Sequence, residues 1–172
     1  MRPYPGVGLG LDVHRFGGPG PLRLGGVDVD HPVGLLGHSD GDVLLHAVAD
    51  AILGAAGLGD LGEHFPPSDE RWRGASSVGL LARVIEKVAE SGLRIGGVDA
   101  TVVAQEPRLQ PYRARMAEVL SEVIGCPLGL VSVKLKTSDG LGLTGRGEGV
   151  AALAVASVTP IGPEVAEYHE GS

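Results

Sequence analysis

Cysteine is nearly missing from this 172-residue chain: Cys126 stands alone, so no disulfide can close within it, as expected for a reducing compartment. In an apolar stretch near a helix end, Cys126 reads as a small buried hydrophobe. Aromatic residues are scarce, 3% against 43% hydrophobic residues overall, so Val, Leu, Ala and Ile must fill the core. Asparagine is absent and glutamine occurs only at Gln105 and Gln110. Scarce amides suit a thermophile, and codon bias gives the same pattern. A long uninterrupted apolar run is lacking too. The longest, residues 43–59, contains His46 and Asp50, which argues against a membrane span. No apolar leader precedes Asp12, and the expectation is a soluble, cytoplasmic protein. Positive charge is in deficit, with a formal net charge of −7, which disfavours nucleic-acid binding by general electrostatics. Anions can still bind where Arg, Lys, backbone amides or metals cluster locally.

Glycine, by contrast, is abundant at 29 residues, as expected for tight turns and close backbone approaches. The length suits one domain, expected over residues 1–159, with a loose tail over 160–172. Val7, Leu9, Leu11 and Val13 alternate with Gly8, Gly10, Asp12 and His14, a strand period. Residues 22–30 form a weaker strand candidate. Residues 36–42 read as a loop, followed by a helix from 43 that Gly57 and Gly59 can end. Ser39 and Asp42 have capping-box spacing at its start. Residues 62–73 read as loop. Residues 76–91 read as a second helix, with Val78, Leu81, Ile85 and Val88 as its apolar stripe and Gly92 as its stop signal. Residues 98–104 read as a strand, and 111–124 as a third helix, from Pro111 to Gly125, burying Tyr112, Met116, Val119, Leu120 and Val123. Residues 131–137 alternate again. Residues 149–158 are nearly all apolar, the pattern of a strand buried on both faces. Strands and helices interleave without a linker. The expected fold is one α/β (α+β) sandwich, a mixed sheet with helices mainly on one face.

On a strand, Asp12 and His14 point the same way and can reach one metal, although such a pair also suits a solvated strand face. The helix from 43 is apolar almost all round, yet Asp42, His46 and Asp50 recur every four residues, on one stripe. That stripe either faces water or meets a partner; ordinary surface faces carry Lys, Arg and Glu, and this one has none. Asp12, His14 and His46 together offer one carboxylate and two imidazoles, a set with the ligand number of catalytic zinc. Nitrogen donors favour zinc over magnesium. Asp50, one turn beyond His46, is placed to orient it. His38 and Ser39 can add donors to a phosphate at the helix start. Thr137-Ser138-Asp139 precedes a glycine-rich segment, 140–149, that either wraps an anion or simply connects strands. In it, Arg146 can pair with phosphate, and Asp139 is a hard oxygen ligand for magnesium beside substrate phosphates. These parts point to zinc- and magnesium-assisted phosphoryl chemistry.

Asp-Val-His at 12–14, His-Ser-Asp-Gly-Asp at 38–42 followed by Leu-His, Leu-Gly-Asp-Leu-Gly at 58–62 before Phe-Pro, and Thr-Gly-Arg-Gly-Glu-Gly at 144–149 stand in one order along the chain. In this the chain resembles the 2-C-methyl-D-erythritol 2,4-cyclodiphosphate synthase family, from about Val7 to Val158. The resemblance implies a homotrimer with active sites between subunits, acting in the non-mevalonate isoprenoid pathway. It implies 4-diphosphocytidyl-2-C-methyl-D-erythritol 2-phosphate as substrate and CMP as leaving group, with Zn2+ and either Mg2+ or Mn2+. Asp12, His14 and His46 match the zinc ligands, and Asp139 the second metal's ligand. His38 and Thr137 match transition-state stabilisers, with Ser39 beside His38. Asp60, Leu61 and Gly62 match the segment holding the erythritol hydroxyls. Phe65, Pro66, Pro67, Ser68 and Asp69 match a further substrate loop. Ala104, Gln105, Glu106, Pro107, Arg108, Leu109 and Gln110 match the cytidine-binding stretch. Lys136, Ser138, Leu143 and Arg146 fall among the remaining substrate-binding positions. Asp139 stands where the family has Glu, Pro67 where an acidic residue is usual, Lys136 where Thr is common, and Leu143 where an aromatic residue is. Three copies of Arg146 are expected at the trimer axis, with Glu148 beside them. Two other functions fit the same parts: a zinc phosphohydrolase, and a trimeric metal-binding protein without turnover.

Overall fold

The computed structural model describes residues 5–162; the expected tail lies, from residue 163 on, outside the described residues. In chain order the elements are β1 (Gly6–Pro19), β2 (Leu22–Leu24), β3 (Val27–Val29), β4 (Val33–Leu35), α1 (Val43–Ala56), α2 (Leu61–His64), α3 (Ser77–Glu90), β5 (Leu93–Val103), α4 (Arg113–Ile124), β6 (Val131–Lys136), α5 (Gly142–Gly145) and β7 (Gly149–Pro160). Five strands make one mixed sheet in the order β4-β1-β7-β5-β6. Strand β7 is antiparallel to both β1 and β5, and β5 is parallel to β6. Strands β1, β5 and β6 therefore run the same way, and their C-terminal ends share one rim of the sheet. The expected architecture, a mixed sheet with helices mainly on one face, is the one observed.

Gly6, Gly8 and Gly10 decide how the sheet meets α1. A Cβ on Gly10 would lie 1.9 Å from the Ala47 carbonyl oxygen; one on Gly8 would lie 2.1 Å from that of Ala51, and one on Gly6 2.2 Å from that of Ala55. Every second strand residue advances about 6.6 Å and every fourth helix residue about 6.0 Å. The Gly-x-Gly-x-Gly row and the Ala-x-x-x-Ala-x-x-x-Ala row thus run nearly in step, backbone against backbone. Above Gly6, Gly8 and Gly10 the helix fills the face that continues to Asp12 and His14. The alternate residues face away, and Val7 and Leu9 are 72% and 68% exposed. Strand β7 shows the same asymmetry. Ala152, Ala154 and Ala156 are buried under the helix layer while Leu153 and Val155 are exposed, so β7 is covered on one face and not on both.

Three local readings are revised. Residues 22–30 are not one strand but a β2–β3 hairpin turned at Gly25 and Gly26, both at positive φ. Residues 62–73 contain most of α2 and a 3-10 turn at Glu70–Trp72. Asp42 does not share the stripe of His46 and Asp50. It precedes α1 as its N-cap, wholly buried, and accepts hydrogen bonds from Leu45 N at 3.1 Å, Gly25 N at 2.8 Å and Gly26 N at 2.7 Å. One carboxylate thereby caps the helix and satisfies the hairpin turn, although burial pushes it above its usual range. The box expected with Ser39 does not form, because the Ser39 hydroxyl is directed to His46. Asp42→Ala would strip the acceptor from three N–H groups, those of Gly25 and Leu45 buried and that of Gly26 partly so. It is expected to lower unfolding stability by about 2–3 kcal/mol, read as a drop in urea midpoint at unchanged slope.

Helices α1, α3 and α4 fall where their periodicity places them. Gly57 and Gly125 close α1 and α4 in the left-handed conformation. In α4, Met116, Val119, Leu120 and Ile124 are buried while Val123, and Tyr112 in the 3-10 turn before the helix, are partly covered; in α3, Val78 and Ile85 flank a buried row of Leu80, Leu81, Val84 and Val88. Cys126 is half-buried, and burial raises its thiol pKa.

Candidate functional site

Asp12 and His14 project from β1 toward α1, and His46 projects back from the second turn of the helix. The Asp12 Oδ2 atom lies 2.9 Å from His14 Nε2 and 3.0 Å from His46 Nδ1. The two rings sit 5.2 Å apart, centroid to centroid. Burial pushes the Asp12 carboxyl up, but the hydrogen bonds and charges of both histidines outweigh it and hold it well below the usual carboxylate range. The same contact with Asp12 raises the His14 imidazole above its ordinary value, against the effect of burial. Asp12, His14 and His46 each offer a donor atom within 4.8 Å of the others, and among the described residues they are the one group of three or more such side chains able to hold an ion. The donor set fits a divalent cation. Two imidazole nitrogens converge on a single carboxylate oxygen, and the other nitrogen of His14, Nδ1, is buried without a hydrogen-bond partner. Asp50 is not the residue that orients His46: its Oδ1 accepts from Leu61 N at 2.7 Å, pinning the start of α2. The contacts to the far side of His46 come from Ser39 and Ser77. Ser77 escaped the sequence reading because a serine at a helix start signals only a cap.

A second feature lies on the same rim. Residues 104–110 curl over the ends of β5 and β6 and, with Leu135, Lys136 and Thr137, line a cavity of about 460 Å³. This joins the whole expected cytidine stretch to Lys136 and Thr137. Across the sheet Asp12 pairs with Ala152, Ala152 with Val102, and Val102 with Leu135. Three strand spacings, roughly 14 Å, therefore separate Asp12 from Leu135 on the cavity's β6 wall.

The remaining positions are spread along the rim. His38 is exposed in the loop before α1, and its carbonyl accepts from Gly74 N at 2.8 Å. Asp60 caps α2 through Glu63 N at 2.8 Å, with Leu61 and Gly62 as the first helical residues. Phe65 is buried edge-on to Trp72, with 4.9 Å between centroids. Pro66 closes a turn onto Asp69 N, Pro67 and Ser68 are exposed, and Asp69 is engaged by Arg71 at 2.6 Å. Ser138 binds the Thr144 hydroxyl at 2.7 Å. Asp139 sits exposed at φ 54° and is not brought into the triad. The expected glycine loop contains the short helix α5, and Gly140 N donates to Gln105 Oε1 at 3.3 Å, tying it to residues 104–110. Leu143 and Arg146 are exposed, and Arg146 pairs with Glu148 at 2.6 Å. No helix among the described residues is long and apolar enough to cross a membrane.

Comparison with known proteins places this arrangement. A relative from Syntrophobacter fumaroxidans, named 2-C-methyl-D-erythritol 2,4-cyclodiphosphate synthase, is 55% identical over 149 residues, which cover 87% of this chain and 94% of the relative. A bifunctional enzyme IspD/IspF of Sphingopyxis alaskensis is 52% identical over 88% of this chain, which spans only 39% of that protein's length. Among solved structures, IspF of Plasmodium falciparum in complex with CDP superposes with a TM-score of 0.82 at 30% identity, over 94% of this chain and all of that one. The YgbB family signature matches residues 6–159. The chain belongs to the YgbB family, that of the 2-C-methyl-D-erythritol 2,4-cyclodiphosphate synthases.

Proposed function

We propose that this chain converts 4-diphosphocytidyl-2-C-methyl-D-erythritol 2-phosphate to 2-C-methyl-D-erythritol 2,4-cyclodiphosphate and CMP, as a phosphorus–oxygen lyase of isoprenoid precursor synthesis. One observation carries the reading: a three-donor cation site and a cavity lined by residues 104–110 and Thr137 share one rim of the sheet. The CDP complex of the Plasmodium falciparum relative supports a cytidine nucleotide as the ligand. In the reaction an oxygen of the 2-phosphate bonds to the β-phosphorus, and the bond from that phosphorus to the bridging oxygen breaks. The bridging oxygen leaves on CMP.

Asp12, His14 and His46 would hold zinc, and Asp139 magnesium or manganese; bound there, the cations would neutralise phosphate oxygens and polarise the phosphoryl group. The attacking phosphate is already an anion, so no side chain need act as general base. His38 and Thr137 donate hydrogen bonds to the charge that develops, with Ser39 beside His38. Such a donor typically contributes about 10²–10³-fold in rate. Residues 104–110 hold the cytidine, with Lys136 and Ser138 at the cavity's edge. Asp60, Leu61 and Gly62 hold the erythritol hydroxyls, and residues 65–69 form a further substrate-binding loop. Incubation with the cytidyl substrate, zinc and magnesium is expected to release CMP, followed by anion-exchange chromatography; absence of CMP from zinc-replete protein would remove the enzymatic reading.

The assembly is a homotrimer in this reading, with sites completed between chains. The apolar residues Val7, Leu9, Leu11 and Val13 of β1 and Leu153 and Val155 of β7, all exposed, support it. Apolar patches of that kind mark interaction surfaces, and a closed ring buries each copy alike. Arg146, Glu148 and Leu143 fall near the threefold axis. Light scattering is expected to report three 17.5-kDa chains per particle; a monomer at micromolar concentration would contradict it.

A further inference from the structure

We infer that Ser77 is a positioning residue for the cation site: backed by Asp40, it fixes which ring nitrogen of His46 carries hydrogen and thereby turns the other toward the cation. The inference rests on the reading that Asp12, His14 and His46 hold zinc.

Ser77 is the first residue of α3 and only 1% exposed. Its backbone N donates to Asp40 Oδ2 at 3.1 Å, and its hydroxyl donates to Asp40 Oδ1. A third donor, Asp42 N, reaches Asp40 Oδ1 at 3.3 Å. The Asp40 backbone is itself held, its N–H donating to Ala75 O at 3.2 Å. Donating to Asp40 commits the single hydroxyl hydrogen of Ser77 there. Toward His46, Ser77 Oγ can then only accept. It lies 2.9 Å from His46 Nε2, and Ser39 Oγ lies 3.0 Å from the same nitrogen. Nε2 is therefore the ring nitrogen that carries hydrogen. A metal-bound imidazole keeps its one hydrogen on the nitrogen away from the ion, so a cation held by the triad would take Nδ1. Nδ1 faces Asp12 Oδ2 at 3.0 Å. The chain Asp40–Ser77–His46 thus selects Nδ1 as the ligand and holds the ring at the angle the site needs, the role outer hydrogen-bond partners play at histidine-ligated metals.

The test uses the whole protein and zinc alone. Competition with a chelator should show the zinc dissociation constant of Ser77→Ala raised by roughly 10–100-fold, with an unchanged circular dichroism spectrum. Ser77→Thr, which keeps the hydroxyl, should return it toward the original value. Long-range proton–nitrogen NMR of the zinc-loaded original protein should show zinc at Nδ1 of His46 and a slowly exchanging hydrogen at Nε2. That spectrum decides the matter even if Ser77→Ala fails to fold. Zinc bound as tightly by a folded Ser77→Ala, or zinc found at Nε2, would overturn the inference. Failure of the original protein to bind zinc at all would instead overturn the reading of the triad.

Discussion

His46→Ala is expected to abolish tight zinc binding and, with it, turnover. His46 is the only ligand of the triad supplied by the helix; Asp12 and His14 both come from β1. Its removal leaves one carboxylate and one imidazole, too few to hold a catalytic zinc in water. The loss should exceed the roughly 10–100-fold that follows removal of an outer partner, because a direct bond to the ion is gone. Stability should fall far less, since His46 is partly exposed and its partners Ser39 and Ser77 retain other hydrogen bonds. Metal analysis after gel filtration should find zinc in the original protein and none in the variant. Full occupancy in a folded His46→Ala would remove His46 from the ligand set.

Gly10→Ala tests the scaffold beneath the site. The added Cβ would meet the Ala47 carbonyl oxygen at 1.9 Å and Ala51 N at 2.7 Å. Both atoms belong to the α1 backbone, so no side chain can swing aside. The helix must lift from the sheet or the strand must bend. Overpacking of a core commonly costs about 1–3 kcal/mol, and this case should lie at or beyond the top of that range. Because β1 carries Asp12 and His14 while α1 carries His46, separation of the two elements should also weaken zinc binding without touching a ligand. Gly129→Ala is the control. Nothing lies within 4 Å of its added Cβ, and its effect should stay within about 0.5 kcal/mol. Thermal unfolding of both variants, with and without zinc, reads the difference; a Gly10→Ala protein as stable as the original would mean that β1 and α1 are not in direct backbone contact.

The same two elements show how far the sequence carries. The alternation from Val7 to His14 marks a strand, and the i, i+2 rule puts Asp12 and His14 on one side of it. Alternation alone does not say which side is buried. Polarity argues for the valines and leucines, and in the chain the opposite holds: the glycine side takes the helix because it has no Cβ to keep α1 away. The matched spacing of Gly6, Gly8 and Gly10 with Ala47, Ala51 and Ala55 was there to be read, but only once both elements were known to be neighbours. His46 could be found because an ionisable residue in an apolar helix needs a partner. Asp42 and Asp50, at the same four-residue spacing, went elsewhere. Asp42 turned to the β2–β3 hairpin and Asp50 to the start of α2, partners distant enough in sequence that periodicity carries no trace of them. Ser77 and Asp40 are 37 residues apart and meet only when the loop before α1 lies against the start of α3. The stretch 104–110 was named by resemblance, and the cavity it makes with Thr137 is a product of the parallel pairing of β5 with β6.

The most direct measurement is phosphorus NMR of the purified chain with its cytidyl substrate, zinc and magnesium. Ring closure predicts that the signals of the substrate's diphosphate and 2-phosphate give way to a coupled pair from a cyclic diphosphate, with one equivalent of CMP and no inorganic phosphate. Inorganic phosphate as the product, with no cyclic pair, would contradict ring closure and make the same cation site that of a phosphohydrolase.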